Sequence, residues 1–199
     1  MIAVIDYGAG NLRSISNALR KVGAEAKVAK AVSGADAIVL PGVGNFGDAV
    51  GKLVPLKQDI TDAIDSGMPF LGLCLGLQAL LEGSEEAPGA RGLGILKGSC
   101  KRFKEKEVPG GKVPHMGWNQ VKKIGGSPLF DGIKDNENFY FVHSYYAPVL
   151  KETIGVCDYG VGFSAAVQKK NVFACQFHPE RSGEAGLRVL GNFVREAKK

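Results

Sequence analysis

The feature that most restricts the fold is an alternation, through the first half of the chain, of short apolar runs with amphipathic ones. Ile2–Asp6 (IAVID), Ala26–Ala29, Asp36–Leu40 (DAIVL) and Pro69–Leu73 (PFLGL) read as short strands. After the first of them, Asn11 is placed to cap a helix in which Leu12, Ile15, Ala18, Leu19 and Val22 recur at helical spacing, and Gly23 stops it. A second helical stretch covers about Phe46 to Ser66, broken near Pro55, and a third covers Leu75 to Leu81. Strands alternating with helices demand βαβ units and a parallel sheet. The second half is written differently. Ser99–Phe103, Gln120–Lys123, Phe139–His143, Ile154–Cys157, Ser164–Gln168 and Val172–Phe177 are short runs bounded by turn residues, which predicts antiparallel strands. Gly186 to Ala197 closes the chain as an amphipathic helix. The expected fold is α/β: an open, mostly parallel twisted sheet flanked by helices, flavodoxin-like, with an antiparallel extension. At 199 residues, with no linker long enough to divide it, residues 1–199 are expected to form a single domain.

Composition excludes several classes. With 45% hydrophobic and 23% charged residues, the chain is neither disordered nor collagen-like nor a coiled coil. No apolar run approaches a membrane span, and the start MIAVIDYG is unlike a secretory signal. The net charge of +5 is spread over mixed-sign segments such as KEKE at 104–107, so no nucleic-acid stripe is expected. The four cysteines show no CxxC spacing, and reduced thiols in a cytoplasm are the expectation.

Two loops carry chemistry. Gly42-Val43-Gly44-Asn45-Phe46-Gly47 matches a dinucleotide fingerprint by letter, but it follows the third strand, not the first, and Pro41 leads into it. A tight turn is one reading. A row of backbone N–H groups offered to a developing anion is the other. Gly72-Leu73-Cys74-Leu75-Gly76 sits where an apolar strand meets a helix and has the form of a nucleophile elbow with sulfur in place of oxygen. The helix start favours a thiolate, and the N–H of Leu75 is a ready oxyanion donor. Cys100, Cys157 and Cys175 lie in plain strand patterns and read as buried packing residues. A thiol nucleophile needs a base and an orienting acid. His178 and Glu180, at i and i+2 around Pro179, are expected to project together from extended backbone. His115, His143 and His178 lack metal-ligand spacing, so no metal and no cofactor are expected.

At this point the residues resemble a family. GLCLG, with HPE about a hundred residues later and PGVGNFGDA after the third strand, resembles the triad class of glutamine amidotransferases. The segments DYGAGNL at 6–12, SEEAPG at 84–89, PHMGWN at 114–119 and FVHSY at 141–145 resemble, within it, the glutaminase subunits of imidazole glycerol phosphate synthases. The likeness runs over essentially the whole chain, and Arg181 stands where a lysine is frequent. It implies that Cys74, His178 and Glu180 hydrolyse glutamine to glutamate and ammonia through a thioester. It implies that backbone N–H groups of Val43 or Gly44 and of Leu75 hold the oxyanion. Gln78, Ser144 and Tyr145 would contact the substrate. It also implies a heterodimer with a cyclase subunit, a (β/α)8 barrel. The cyclase would use the ammonia to make imidazole glycerol phosphate and AICAR in histidine biosynthesis. Trp118, Tyr140 and Asn11 would face that partner, although Trp118 read alone suits a core equally well. Two other readings stay open: a glutaminase subunit of another ammonia-using synthase, and a stand-alone γ-glutamyl hydrolase. The glycines at 42 and 44 add one expectation. A loop that can flip a peptide plane cheaply would leave the isolated chain a poor glutaminase until a partner favours the active form.

Overall fold

In the computed structural model, which describes residues 1–199, the four apolar runs of the first half form a parallel sheet. They are β1 (Ile2–Ile5), β2 (Ala26–Ala29), β3 (Ala37–Leu40) and β4 (Phe70–Leu73). Every residue of β1, β3 and β4 is buried, as a strand covered on both faces must be. Asn11 caps α1 (Leu12–Lys21), its Oδ1 accepting from Ser14 N. The long helical stretch does break at Pro55, into α2 (Phe46–Leu53), a 3-10 turn and α3 (Lys57–Asp65). The helix expected over 75–81 is shorter: α4 is Leu75–Gln78, after which the chain turns into the two-residue β5 (Gly83–Ser84).

The second half supplies β6 (Ser99–Arg102), β7 (His115–Lys123), β8 (Glu137–His143), β9 (Tyr145–Tyr146), β10 (Thr153–Asp158), β11 (Gly162–Lys169), β12 (Val172–Cys175) and the closing helix α5 (Gly183–Glu196). The main sheet runs β2-β1-β3-β4-β12-β11-β10-β7-β8. The first five strands of that order are parallel, in the 2-1-3-4-5 arrangement of flavodoxin-like folds. The remaining four are antiparallel. β12 therefore corrects the expectation of a purely antiparallel strand: it pairs parallel with β4 and antiparallel with β11, joining the two halves. It also ends at Cys175, because the chain must leave the sheet before His178. β7 begins at His115, earlier than the expected start at Gln120, so PHMGWN lies mostly in the strand. β6 belongs to a small separate sheet, parallel to β5 and antiparallel to β9.

Alternation along β1 sends Ile2 and Val4 into one core and Ala3 and Ile5 into the other. The first core is closed by α1 and α5 through Ile15, Leu19, Leu190 and Phe193. The second is closed by α2 and α3 through Phe46, Leu53 and Ile60. No helix is long and apolar enough to cross a membrane. Because β1, β3, β4 and β12 are parallel, the loops after all four open at one edge of the sheet.

Candidate active site

Cys74 is the junction of β4 and α4. Its backbone sits at φ 53, ψ −106, a conformation that a residue with a side chain adopts only under constraint. The constraint is visible. Cys74 N donates to Cys175 O at 2.8 Å, and Leu75 N donates to Gly42 O at 3.3 Å. The turn is possible because the flanking residues are glycines. A Cβ on Gly76 would lie 2.0 Å from Leu40 O, and one on Gly72 would lie 2.8 Å from Gly76 O. The thiol is buried, and it borders a cavity of ≈ 310 Å³.

That cavity is lined by Val43, Gly44, Cys74, Leu75, Gln78, Ser144, Tyr145 and His178, together with Glu86, Pro114, Val142 and His143. The sequence-chosen loop, nucleophile, base and substrate residues thus share one space. Glu180 stands behind it: His178 Nδ1 donates to Glu180 Oε1 at 3.0 Å, and the carboxylate side chain is 1% exposed. The pair does not meet as neighbours on extended backbone. Pro179–Arg181 form a 3-10 turn with proline in its first position, and this turn brings Glu180 back beneath the ring. His178 Nε2 is buried and without a hydrogen-bond partner. Burial acts to lower the His178 pKa, but the Cys74 sulfur and the Glu180 carboxylate together outweigh it and raise it to about 10. Burial, reinforced by Cys74, holds the Tyr7 phenol protonated well above its ordinary range.

Two features differ from the sequence expectation. With one turn only, α4 offers the sulfur a weak dipole. And the Leu75 N–H is not free, since Gly42 O occupies it. A trans peptide points its N–H opposite to its C=O, so the Val43 N–H is turned away from that donor. The glycine loop holds no place for a pyrophosphate either: at the start of α2, Phe46 N donates to Glu86 Oε2 at 2.7 Å and Asp48 N to Asn45 Oδ1 at 3.2 Å.

Sequence reasoning missed Glu86 and Gln176. Glu86 is the one acid lining the cavity, contributed by SEEAPG. Gln176 is fully buried, with Nε2 donating to Cys74 Sγ at 3.5 Å. Its position two residues before His178 was the available signal. His115 and His143 form a buried pair, Nδ1 to Nε2 at 3.2 Å. Trp118 is 58% exposed and so is no core residue. It packs edge-on against half-buried Tyr140, whose ring lies 4.4 Å beneath the Arg181 guanidinium. Asn11 is exposed at the start of α1, and α1 packs on the 179–181 turn.

A thiol on a strained elbow, with an imidazole across the cavity and a buried acid behind the ring, is suited to acyl transfer from an amide. On a flavodoxin-like sheet, these parts define the class of triad thiol amidohydrolases. The sequence model of class I glutamine amidotransferases matches residues 3–197, and the chain belongs to that family. It is 54% identical over 198 residues to imidazole glycerol phosphate synthase subunit HisH of Methanothermobacter thermautotrophicus, covering 98% of each chain. It is also 54% identical over 201 residues to the subunit of that name from Thermococcus kodakarensis, covering 98% of this chain and 100% of that one. A crystal structure of a glutamine amidotransferase superposes with a TM-score of 0.76 over 100% of both chains at 19% identity, a likeness of fold.

Proposed function

We infer that this chain is the glutaminase subunit of an imidazole glycerol phosphate synthase and that residues 1–199 act as one amidotransferase domain. The observation that carries the chemistry is His178, whose Nδ1 is held by a buried carboxylate while its unpartnered Nε2 borders the cavity of the elbow thiol. The choice of synthase is supported by relatives of that name at 54% identity over nearly the full length.

Glutamine enters the cavity with its carboxamide above Cys74. Its α-ammonium is matched by Glu86, and its carboxylate lies near the backbone of Ser144 and Tyr145. The carbonyl of Tyr145 already accepts from Gln78 Nε2 at 2.8 Å, so Gln78 offers the substrate its oxygen. The Cys74 proton passes to His178 Nε2, and the thiolate adds to the amide carbon. The oxyanion is held by backbone N–H groups of Leu75 and of Val43 or Gly44. His178 returns the proton to the nitrogen, the C–N bond breaks, and ammonia leaves a glutamyl thioester. Water then adds as His178 takes its proton. The C–S bond breaks, the sulfur recovers a proton, and glutamate departs. Glu180 keeps the imidazole in one tautomer and offsets its charge.

The ammonia passes to a cyclase subunit, a (β/α)8 barrel, in a cytoplasmic heterodimer. An exposed tryptophan beside a tyrosine and an arginine is the composition of an interface anchor, which supports Trp118 and Tyr140 as contact residues, and Asn11 is read with them. The reading is tested by assaying glutamine hydrolysis by the chain alone, with purified cyclase, and with cyclase plus its nucleotide ligand. Slow turnover alone and a large rise with the cyclase and ligand are expected. Full turnover by the isolated chain would mark a stand-alone γ-glutamyl hydrolase. Activation only by the partner of a different synthase would reassign the subunit.

A further inference from the structure

Gln176 has no part in the steps above, yet it is fully buried and touches the reacting sulfur. Its orientation follows from its neighbours. Tyr145 O is a carbonyl and can only accept, so the Gln78 atom 2.8 Å from it is Nε2. The same nitrogen lies 3.1 Å from Gln176, and both its hydrogens are then used. A donor there requires the Gln176 oxygen to face it, which turns Gln176 Nε2 toward Cys74 Sγ at 3.5 Å. The other side of Tyr145 O is fixed as well. His143 Nδ1 donates to it at 2.8 Å, so the neutral ring accepts at Nε2 from His115 Nδ1, and His115 Nε2 accepts from Asn119 Nδ2 at 3.2 Å. Burial lowers the pKa of His115 to about 4 and, with His115 adding to it, that of His143 to about 3. No proton arrives at neutral pH to reverse the run.

We propose that Gln176 is a further catalytic residue, whose Nε2–H stabilises the Cys74 thiolate, and that Gln78 is the positioning residue that aims it. The need is physical. The sulfur is buried, an anion there loses its hydration, and the one-turn α4 supplies little compensating dipole. A hydrogen bond to an ionised acceptor is about twice as strong as one to a neutral acceptor. The donor therefore favours the thiolate over the thiol, and again favours the sulfur as it leaves the thioester. The other titratable groups around the sulfur include Glu86, the acid that lines the same cavity. His178 supplies a positive charge with Glu180 behind it, while burial keeps Tyr7 and Cys175 protonated.

The inference rests on Cys74 being the nucleophile, and its test is separable from turnover. Alkylation of Cys74 by iodoacetamide is followed by peptide mass spectrometry across pH on the folded chain. Gln176→Leu should slow alkylation about tenfold at pH near 6 and leave the limiting alkaline rate within about twofold, the size expected for one charge-assisted hydrogen bond. Gln176→Glu, which keeps the shape but sets a carboxylate on the sulfur, should slow it further. Gln78→Leu should move the profile in the same direction by less. Profiles of Gln176→Leu and Gln176→Glu that overlay the parent's would overturn the proposal. Should Gln176→Leu fail to fold, the Gln176→Glu and Gln78→Leu profiles decide by the same criterion. Turnover that survives in Cys74→Ala would instead overturn the nucleophile itself.

Discussion

The Gly42–Val43 peptide allows a substitution that separates the resting site from the active one. Its oxygen accepts from Leu75 N at 3.3 Å, and the Val43 N–H makes no hydrogen bond. Rotating that peptide plane would free the Leu75 N–H and turn the Val43 N–H toward the cavity, completing an oxyanion hole with two donors. Removing one such donor costs about 10²–10³ in rate, so the flip alone is a usable switch. Val43→Pro deletes the N–H and also fixes φ at position 43, so it removes the donor and resists the flip that would present it. The residue before it is glycine, which tolerates the extended backbone proline requires, and the Val43 side chain is 47% exposed. Steady-state glutamate formation, coupled to a dehydrogenase, reads both states. With cyclase and nucleotide ligand, Val43→Pro should lose about 10²–10³-fold, while the chain alone should change by less than about threefold, since the deleted donor is idle at rest. Parental activation in Val43→Pro would refute Val43 as the donor. An equal loss in both assays would refute the switch. Gly42→Ala is a poorer probe. A Cβ there meets Leu75 Cβ and Tyr7 Oη at 2.7 Å, so it disturbs the resting loop itself.

Three further outcomes follow from the site and its surface. His178→Ala should cost more turnover than Glu180→Gln, because the imidazole moves the proton and the acid only orients it; steady-state kinetics in which Glu180→Gln is the worse variant would reverse the roles. The folded-state pKa of His178, about 10, lies above its ordinary 6.5. Its stabilisation is therefore complete below 6.5 and is lost as pH rises through 10, and urea midpoints should fall across that window in the parent and fall less in Cys74→Ala. Trp118→Ala should weaken cyclase binding about tenfold or more in a titration while leaving the turnover of the isolated chain unchanged.

The parallel half of the fold was legible because its signals are local. Four apolar runs, an Asn cap and a proline break each act within a few residues, and every one of them lies where the pattern put it. The elbow was legible for the same reason, since Gly72 and Gly76 answer contacts that any side chain would violate. Pairing was less so. The parallel seam of β12 with β4 depends on which strand edge is open once the sheet assembles, and no residue of β12 encodes that. The single turn of α4 tightens into three-residue hydrogen bonds, Leu80 N to Leu77 O and Leu81 N to Gln78 O, and Leu93 N and Leu96 N then take the Ala79 and Leu80 carbonyls, which closes the way to further helix. Gln176 escaped notice because a glutamine is unremarkable in sequence, and its role comes from Gln78, nearly a hundred residues away.

The proposed chemistry turns on a glutamyl thioester at Cys74. Acid quenching of the cyclase-activated complex during turnover, followed by intact-mass and peptide mass spectrometry, tests it directly. The expected result is an adduct with the mass of glutamine less ammonia, mapped to the peptide carrying Cys74 and absent from Cys74→Ala, which should also be inactive. Undiminished glutamate formation by Cys74→Ala, or an adduct on any other residue, would contradict it.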